Sequence, residues 1–445
     1  PLPEAQSTRL VSAAEAAFGA GHVSAALDHL DAARARASGS RLLTDIDHLR
    51  GRIAARTGSA DQALSVLVAA AERCAHVDPG RAALILADAV TPCLRSGRPR
   101  DAAALAERAV DLSKDDSRPT RAKARLMYGT ALIFTGNYMG GRELVGEAAD
   151  LADGALTADW RAYLARSLRL AGYFERSRAV FGEVIDDAKA EGALGILPYA
   201  LARLADLELE SGDWAQARRL LDEAVQIAEE TGQGVDEGLA RGTLAWLDAA
   251  QGRDTQCRAN VEAASFLAAR LGTGSQLDRT GLALGLLALG RRDGHAATSH
   301  LGETVRQQRA EGWVDAAVSP HVTPDLIEAN LVSARWPTAL RLLTDFETYA
   351  GDAGRPSALA VAARCRALLA SGRDAERWFE QSLVNRHDLS PFEHARTRLH
   401  YARYLRCLEE TDRARSEAAA ALAAFESLGA TPWVDQAQRE LSSST

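Results

Sequence analysis

The chain has 445 residues, 47% hydrophobic and 25% charged, with a formal net charge of −8 at pH 7. That balance excludes a disordered or collagen-like chain, and the length exceeds what one globular core supports, so several domains or a repeat array is expected. The acidic charge without a long Lys/Arg run argues against direct nucleic-acid contact, and no apolar run reaches the ~20 residues of a membrane-spanning helix.

Five cysteines, Cys74, Cys93, Cys257, Cys365 and Cys407, are scattered and never form a CxxC pair. They read as reduced, small core residues of a cytoplasmic protein, with no disulfide or zinc site. No basic-then-apolar leader stands at the start of the sequence. Because it opens with Pro1 rather than Met, the expectation is a piece excised from a longer protein.

Along the chain, glycines recur at a nearly constant stride: Gly21, Gly58, Gly97, Gly136, Gly172, Gly212, Gly252 and Gly290. Small residues hold fixed offsets around them. Ala26, Ala63, Ala102, Gly141, Ser177, Ala217 and Cys257 lie five places after the first seven glycines, and Ala33, Ala70, Ala109, Ala148 and Ala224 lie twelve after theirs. Such a period predicts an all-α superhelical solenoid of stacked helix pairs, each glycine ending the first helix in a left-handed turn. The predicted pairs run, approximately, over 5–37, 40–76, 78–114, 118–152, 156–191, 194–231, 235–271, 275–310, 320–350, 354–384 and 390–428. That makes about eleven antiparallel pairs, followed by a C-terminal capping helix at 431–442 within a cap spanning 429–445. Two pairs lack the glycine but keep the register, with Ala334 and Glu409 at its place. The joints at 112–119 and 311–320 stretch the period, yet no internal linker divides the chain, so 1–445 reads as a single repeat domain.

These offsets resemble the tetratricopeptide consensus, in units of 36–40 residues. Phosphate and metal chemistry find no support. The nearest glycine-rich loop, Gly136 to Gly141, lacks a following Lys-Ser/Thr and sits in a repeat turn. The pairs His295/His300 and His394/His400 are spaced five and six apart, off one helical face, while His321 and His387 fall in predicted loops. No nucleophile elbow or Cys–His arrangement occurs, so no catalytic residue, metal or cofactor is expected in this chain. Paired carboxylates such as Asp186-Asp187 read as solvated helix faces, and Trp160, Trp313, Trp336, Trp378 and Trp433 read as packing near turns or on second helices.

In tetratricopeptide-like stacks the first helix of each pair lines an inner groove. The corresponding places give the candidate ligand- or partner-binding set Thr130, Phe134, Arg166, Tyr199, Asp206 and Trp246. It mixes hydrogen-bonding and aromatic surface, as small-ligand sites do. The competing reading is an Arg166–Asp206 ion pair between repeats, with Trp246 as packing.

The C-terminal stretch SPFEHARTRLHYARYLR, then RARSEAAAALAAFESLGATPWVDQAQREL, resembles the end of the helical arm in large ATP-binding regulators of the LuxR family, which are similar to the maltose-regulon activator. The resemblance implies an actinobacterial transcriptional regulator, controlling secondary-metabolite biosynthesis, in which this arm senses and relays. It also implies an N-terminal NTPase domain that binds ATP and a helix-turn-helix DNA-binding domain beyond the arm. A small-molecule inducer or a protein would occupy the superhelix. The alternative is a free-standing tetratricopeptide adaptor that binds a peptide or protein.

Overall fold

The computed structural model describes residues 3–152, 156–272, 274–311, 322–384 and 389–442, and these form twenty-three α-helices and no strand. Consecutive helices pack as eleven pairs. The first five are α1 (Pro3–Gly19) with α2 (Val23–Arg34), α3 (Ser40–Thr57) with α4 (Ala60–Cys74), α5 (Pro79–Arg95) with α6 (Pro99–Leu112), α7 (Arg118–Phe134) with α8 (Tyr138–Ala152), and α9 (Ala158–Leu170) with α10 (Phe174–Glu191). Next come α11 (Leu197–Ser211) with α12 (Trp214–Thr231), α13 (Gly234–Gln251) with α14 (Asp254–Leu271), and α15 (Gly274–Gly290) with α16 (Gly294–Glu311). The last are α17 (Val322–Val332) with α18 (Trp336–Ala353), α19 (Pro356–Leu369) with α20 (Gly372–Leu383), and α21 (Pro391–Cys407) with α22 (Thr411–Leu428), closed by α23 (Thr431–Ser442).

The sixth pair shows how sequence makes the unit. Gly212 adopts φ +93° as C-cap of α11, a left-handed turn that costs an L side chain about 1–2 kcal/mol. Asp213 then caps α12 by accepting from the Gln216 amide at 2.9 Å. Trp214, Ala217, Leu220, Leu221 and Ala224, at helical spacing, are all buried against neighbouring helices. Small residues set the interhelix distance. A Cβ at Gly129 of α7 would stand 2.8 Å from the Gly141 carbonyl of α8, so the two backbones touch directly.

The left-handed turn recurs at Gly21, Gly97, Gly136, Gly172 and Gly252, and also at Ala334 (φ +56°) and Glu409 (φ +62°), which lack the glycine but hold its place. Two expected turns differ. Gly58 is extended, at φ −129°, and Gly290 remains helical while Arg292 takes the positive φ of +59°. Gly290 is needed for another reason: a Cβ there would stand 3.2 Å from the Trp433 ring of α23.

The pairs wind so tightly that turns five units apart touch. Gly19 of the first pair accepts a backbone hydrogen bond from Gly195 of the sixth at 3.0 Å. Gly97 lies against Glu311, Gly212 against Pro391, and Gly252 against Pro432. The Gln436 amide of α23 donates to the Gly290 carbonyl at 3.0 Å. Phe392 of α21 packs among Trp214, Trp246, Phe425 and Trp433 at centroid distances of 5.0–6.0 Å, joining the middle of the chain to its C-terminal helices. Burying an aromatic of this size contributes about 1.5–3 kcal/mol.

Several readings of single residues change. Trp160 lies on a first helix, α9, and Trp336 is 52% exposed, so packing does not account for it. Cys407 is exposed, whereas Cys74, Cys93, Cys257 and Cys365 are free and buried. His400 is buried rather than solvated. Trp313, His321 and His387, and most of the joint at 311–320, lie outside the described residues.

Ala217 has no exposed surface where α12 meets α11. Ala217→Phe is expected to overpack this contact and cost about 1–3 kcal/mol. Chemical denaturation checks it, and an unchanged midpoint would contradict the placement.

Candidate binding site along the inner face

The first helix of each pair turns its polar places inward, and charged residues meet there across the turns of the superhelix. In the N-terminal part, Arg56 of α3 donates to Asp236 of α13 at 3.1 Å and to Asp159 of α9 at 3.4 Å. Arg52, one helical turn earlier, holds the same Asp159 at 2.7 Å. Asp236 has no exposed surface, so this bridge between the second and seventh pairs is dry.

In the middle, Asp206 of α11 is held by Arg203 at 3.0 Å, by Arg279 of α15 at 3.2 Å and by Arg169 of α9 at 3.8 Å. Arg169 also pairs with Glu210, and Arg279 donates to the Thr243 hydroxyl of α13. Burial works to raise the Asp206 carboxyl, but the three guanidinium groups overcome it and hold the group well below the usual carboxylate range.

In the C-terminal part, Arg396 of α21, 2% exposed, binds Asp325 at 2.7 Å, Glu393 at 2.9 Å and Glu328. Arg364 of α19 pairs with Glu393, and His400 lies 3.3 Å from Glu328. Burial pushes the Asp325 carboxyl up despite Arg396, whereas Glu328, half-buried, is held well below its usual value by Arg396 and His400. Beside this cluster lies a small crevice, with room for little more than a water molecule, lined by Trp246, Leu286, Pro324, Asp325, Arg364, Glu393 and Arg396. It is far smaller than the ~300–1,000 Å³ typical of ligand pockets.

The six expected site residues therefore do not line an open groove. Thr130 is fully buried, and its hydroxyl bonds the Leu126 carbonyl at 2.8 Å and the Ser167 hydroxyl at 2.7 Å. Phe134 is buried beneath the Arg166 guanidinium, 5.2 Å from the ring centroid. Trp246 is half-buried and meets Trp214 and Phe392 edge-on. The structure brings Phe134, Arg166 and Tyr199 into one neighbourhood, next to Asp206, and leaves Thr130 and Trp246 in packing roles. Asp206 is taken by Arg203, Arg279 and Arg169, and the anticipated Arg166–Asp206 pair is not made.

Sequence reasoning missed Arg56, Asp236, Asp325, Arg364, Arg396 and His400. All six lie on first helices, at polar positions that periodicity alone assigns to solvent. Among the described residues, no group of three or more His, Cys, Asp or Glu side chains could hold a metal ion, and no helix is long and apolar enough to cross a membrane.

No protein-family model and no curated protein matches the chain. Solved structures do. A Rap protein complexed with competence and sporulation factor superposes with a TM-score of 0.58 at 12% identity, covering 78% of this chain and 99% of that one. The apo form of RapI gives 0.43 at 9% identity over 77% and 96%, and yeast Tom70 gives 0.35 at 12% identity over 97% and 96%. The likeness to the Rap complex establishes the fold, a tetratricopeptide-like superhelical solenoid.

Asp206→Asn leaves three guanidinium groups without their shared counter-charge and is expected to cost about 3–5 kcal/mol near neutral pH. The Asp206 pKa is lowered on folding, so its contribution is complete above the ordinary carboxylate pKa of about 3.9 and fades as pH falls below it. Denaturant titrations of both proteins should show a gap at about pH 7 that narrows near pH 3. A gap that stays constant would contradict this assignment.

Proposed function

We propose that this chain is the sensing and relay arm of a LuxR-family transcriptional regulator, in which a small-molecule inducer or a protein partner acts through the interior of the superhelix. The observation that carries the relay is the set of ionic bridges between pairs that are not neighbours, Arg56 to Asp236, Arg279 to Asp206 and Arg396 to Asp325. An occupant of the inner face competes with these bridges or adds to them, and so favours one superhelical pitch over another. Such a population shift needs only that the occupant bind the two pitches with different affinity.

The regulator context rests on the wording of residues 390–441 and makes the chain one part of a longer protein with its own NTPase and DNA-binding domains. The inner face is rich in carboxylates as well as arginines and the chain is acidic overall, so DNA contact belongs to the other domain. The Rap protein of the same fold was solved with competence and sporulation factor, which supports occupancy by a partner as a use of this architecture.

Reading the native gene beyond the codons for Pro1 and Thr445 tests the proposal. A GxxxxGK[ST] loop upstream and a helix-turn-helix downstream are expected. Start and stop codons directly flanking the chain would overturn it in favour of a free-standing adaptor.

A further inference from the structure

The charges on the inner face are balanced in the N-terminal cluster, where Arg52 and Arg56 meet Asp159 and Asp236. They are not balanced in the middle. There Arg169, Arg203 and Arg279 gather around Asp206 and Glu210, and Arg95 and Arg166 lie beside them as further positive charges. Arg166 is the member left over. It is half-buried, forms no ion pair and no hydrogen bond among the described residues, and rests on the Phe134 ring with Arg95, Arg169 and Arg203 as its charged neighbours. Burial together with those three arginines pushes its guanidinium down to about 10, with only the Tyr199 phenol opposing.

A second, independent observation lies beside it. Tyr199 is 3% exposed and its hydroxyl has no hydrogen-bond partner. The Nε groups of Arg169 and Arg203 are also buried without an acceptor. Buried donors are almost always satisfied, and an unpaired buried cation is rarer still, because each forfeits its hydration. Glu210 Oε2 is a buried acceptor without a donor, but the unpaired donors outnumber it and positive charge is in excess, which suits one acceptor-rich anion. Phe134 and the edge-on Tyr163–Tyr199 pair, with centroids 5.7 Å apart, supply flat apolar walls next to it.

We infer that the inner face at Arg166 and Tyr199 is a binding site for the oxyanion headgroup, carboxylate or phosphate, of a small organic ligand. Arg166 supplies the unpaired charge and the planar fork that suits an oxyanion, and Tyr199 donates its free hydroxyl. The site rests on the proposed sensing role and gives its inducer a chemical class. Occupation would pair the left-over charge and tie α9 to α11, the helices that already carry the Asp206 bridge.

The test uses the full chain with inorganic phosphate and with benzoate as probes, against chloride at matched ionic strength. Melting temperature and calorimetric titration are read for wild type, Arg166→Met and Tyr199→Phe. Wild type is expected to melt higher with at least one probe at millimolar concentration, and the preferred probe tells phosphate from carboxylate. Arg166→Met should weaken binding about tenfold or more, and Tyr199→Phe should weaken it to a lesser degree. In chloride alone both variants should melt at or above the wild-type temperature, since each removes a group with no partner. Equal melting of wild type in chloride and in both probes would overturn the site. So would undiminished binding by Arg166→Met, or a variant that loses stability in chloride, which would make Arg166 a structural residue. None of these results depends on the flanking gene, so the site and the regulator reading fail separately.

Discussion

Pairs of this superhelix that are not neighbours are held together by guanidinium groups that reach from one first helix to another. Arg56 spans the second pair to the seventh, Arg279 the eighth to the sixth, and Arg396 the eleventh to the ninth. Buried ion pairs of this kind add little net stability over well-packed apolar residues, because desolvation offsets most of the attraction. Their consequence is geometric. Removing one partner leaves a buried charge uncompensated, so the chain is confined to the pitch at which every bridge closes. The contacts between turns five pairs apart add single backbone and side-chain contacts, as at Gly19–Gly195, Gly97–Glu311 and Gly252–Pro432.

That division of labour accounts for the composition. The crossings within a pair need small residues, as at Gly129 and Gly141, and the repeat supplies them at fixed offsets. The turn itself is less demanding than the glycine stride suggests. Arg292, Ala334 and Glu409 hold positive φ with a side chain, each at a local cost of about 1–2 kcal/mol that the packing of the flanking helices absorbs. Gly290 is retained for a different purpose, to admit Trp433 from the C-terminal helix.

The same winding changes what a binding site can be. An open tetratricopeptide groove presents its first helices to solvent, whereas here side chains of nearby pairs bury Thr130, Phe134, Tyr199 and Asp206. A ligand at Arg166 would meet a preorganised, largely dry environment in which a single charge interaction is strong. Because the neighbouring bridges share those helices, a change at Arg166 is felt at Asp206 and, through Arg279, at the eighth pair.

The all-α fold, the eleven pairs and the closing helix were legible in the sequence because helix crossings demand small side chains at a repeating distance, and that demand is local. Gly129, Gly141 and Ala217 could be assigned from spacing alone. The inner-face positions of Arg166, Tyr199 and Asp206 could be named, since a polar place on a first helix is visible in the register. Their partners were not legible. Whether Arg166 meets Asp206, or Asp206 meets Arg279 instead, depends on the superhelical pitch, which sums small rotations over many pairs. The sequence by itself determined the repeating unit. The tertiary structure alone decided which charges are buried together and which one is left unpaired, because those contacts join residues from different helix pairs and no local pattern encodes them.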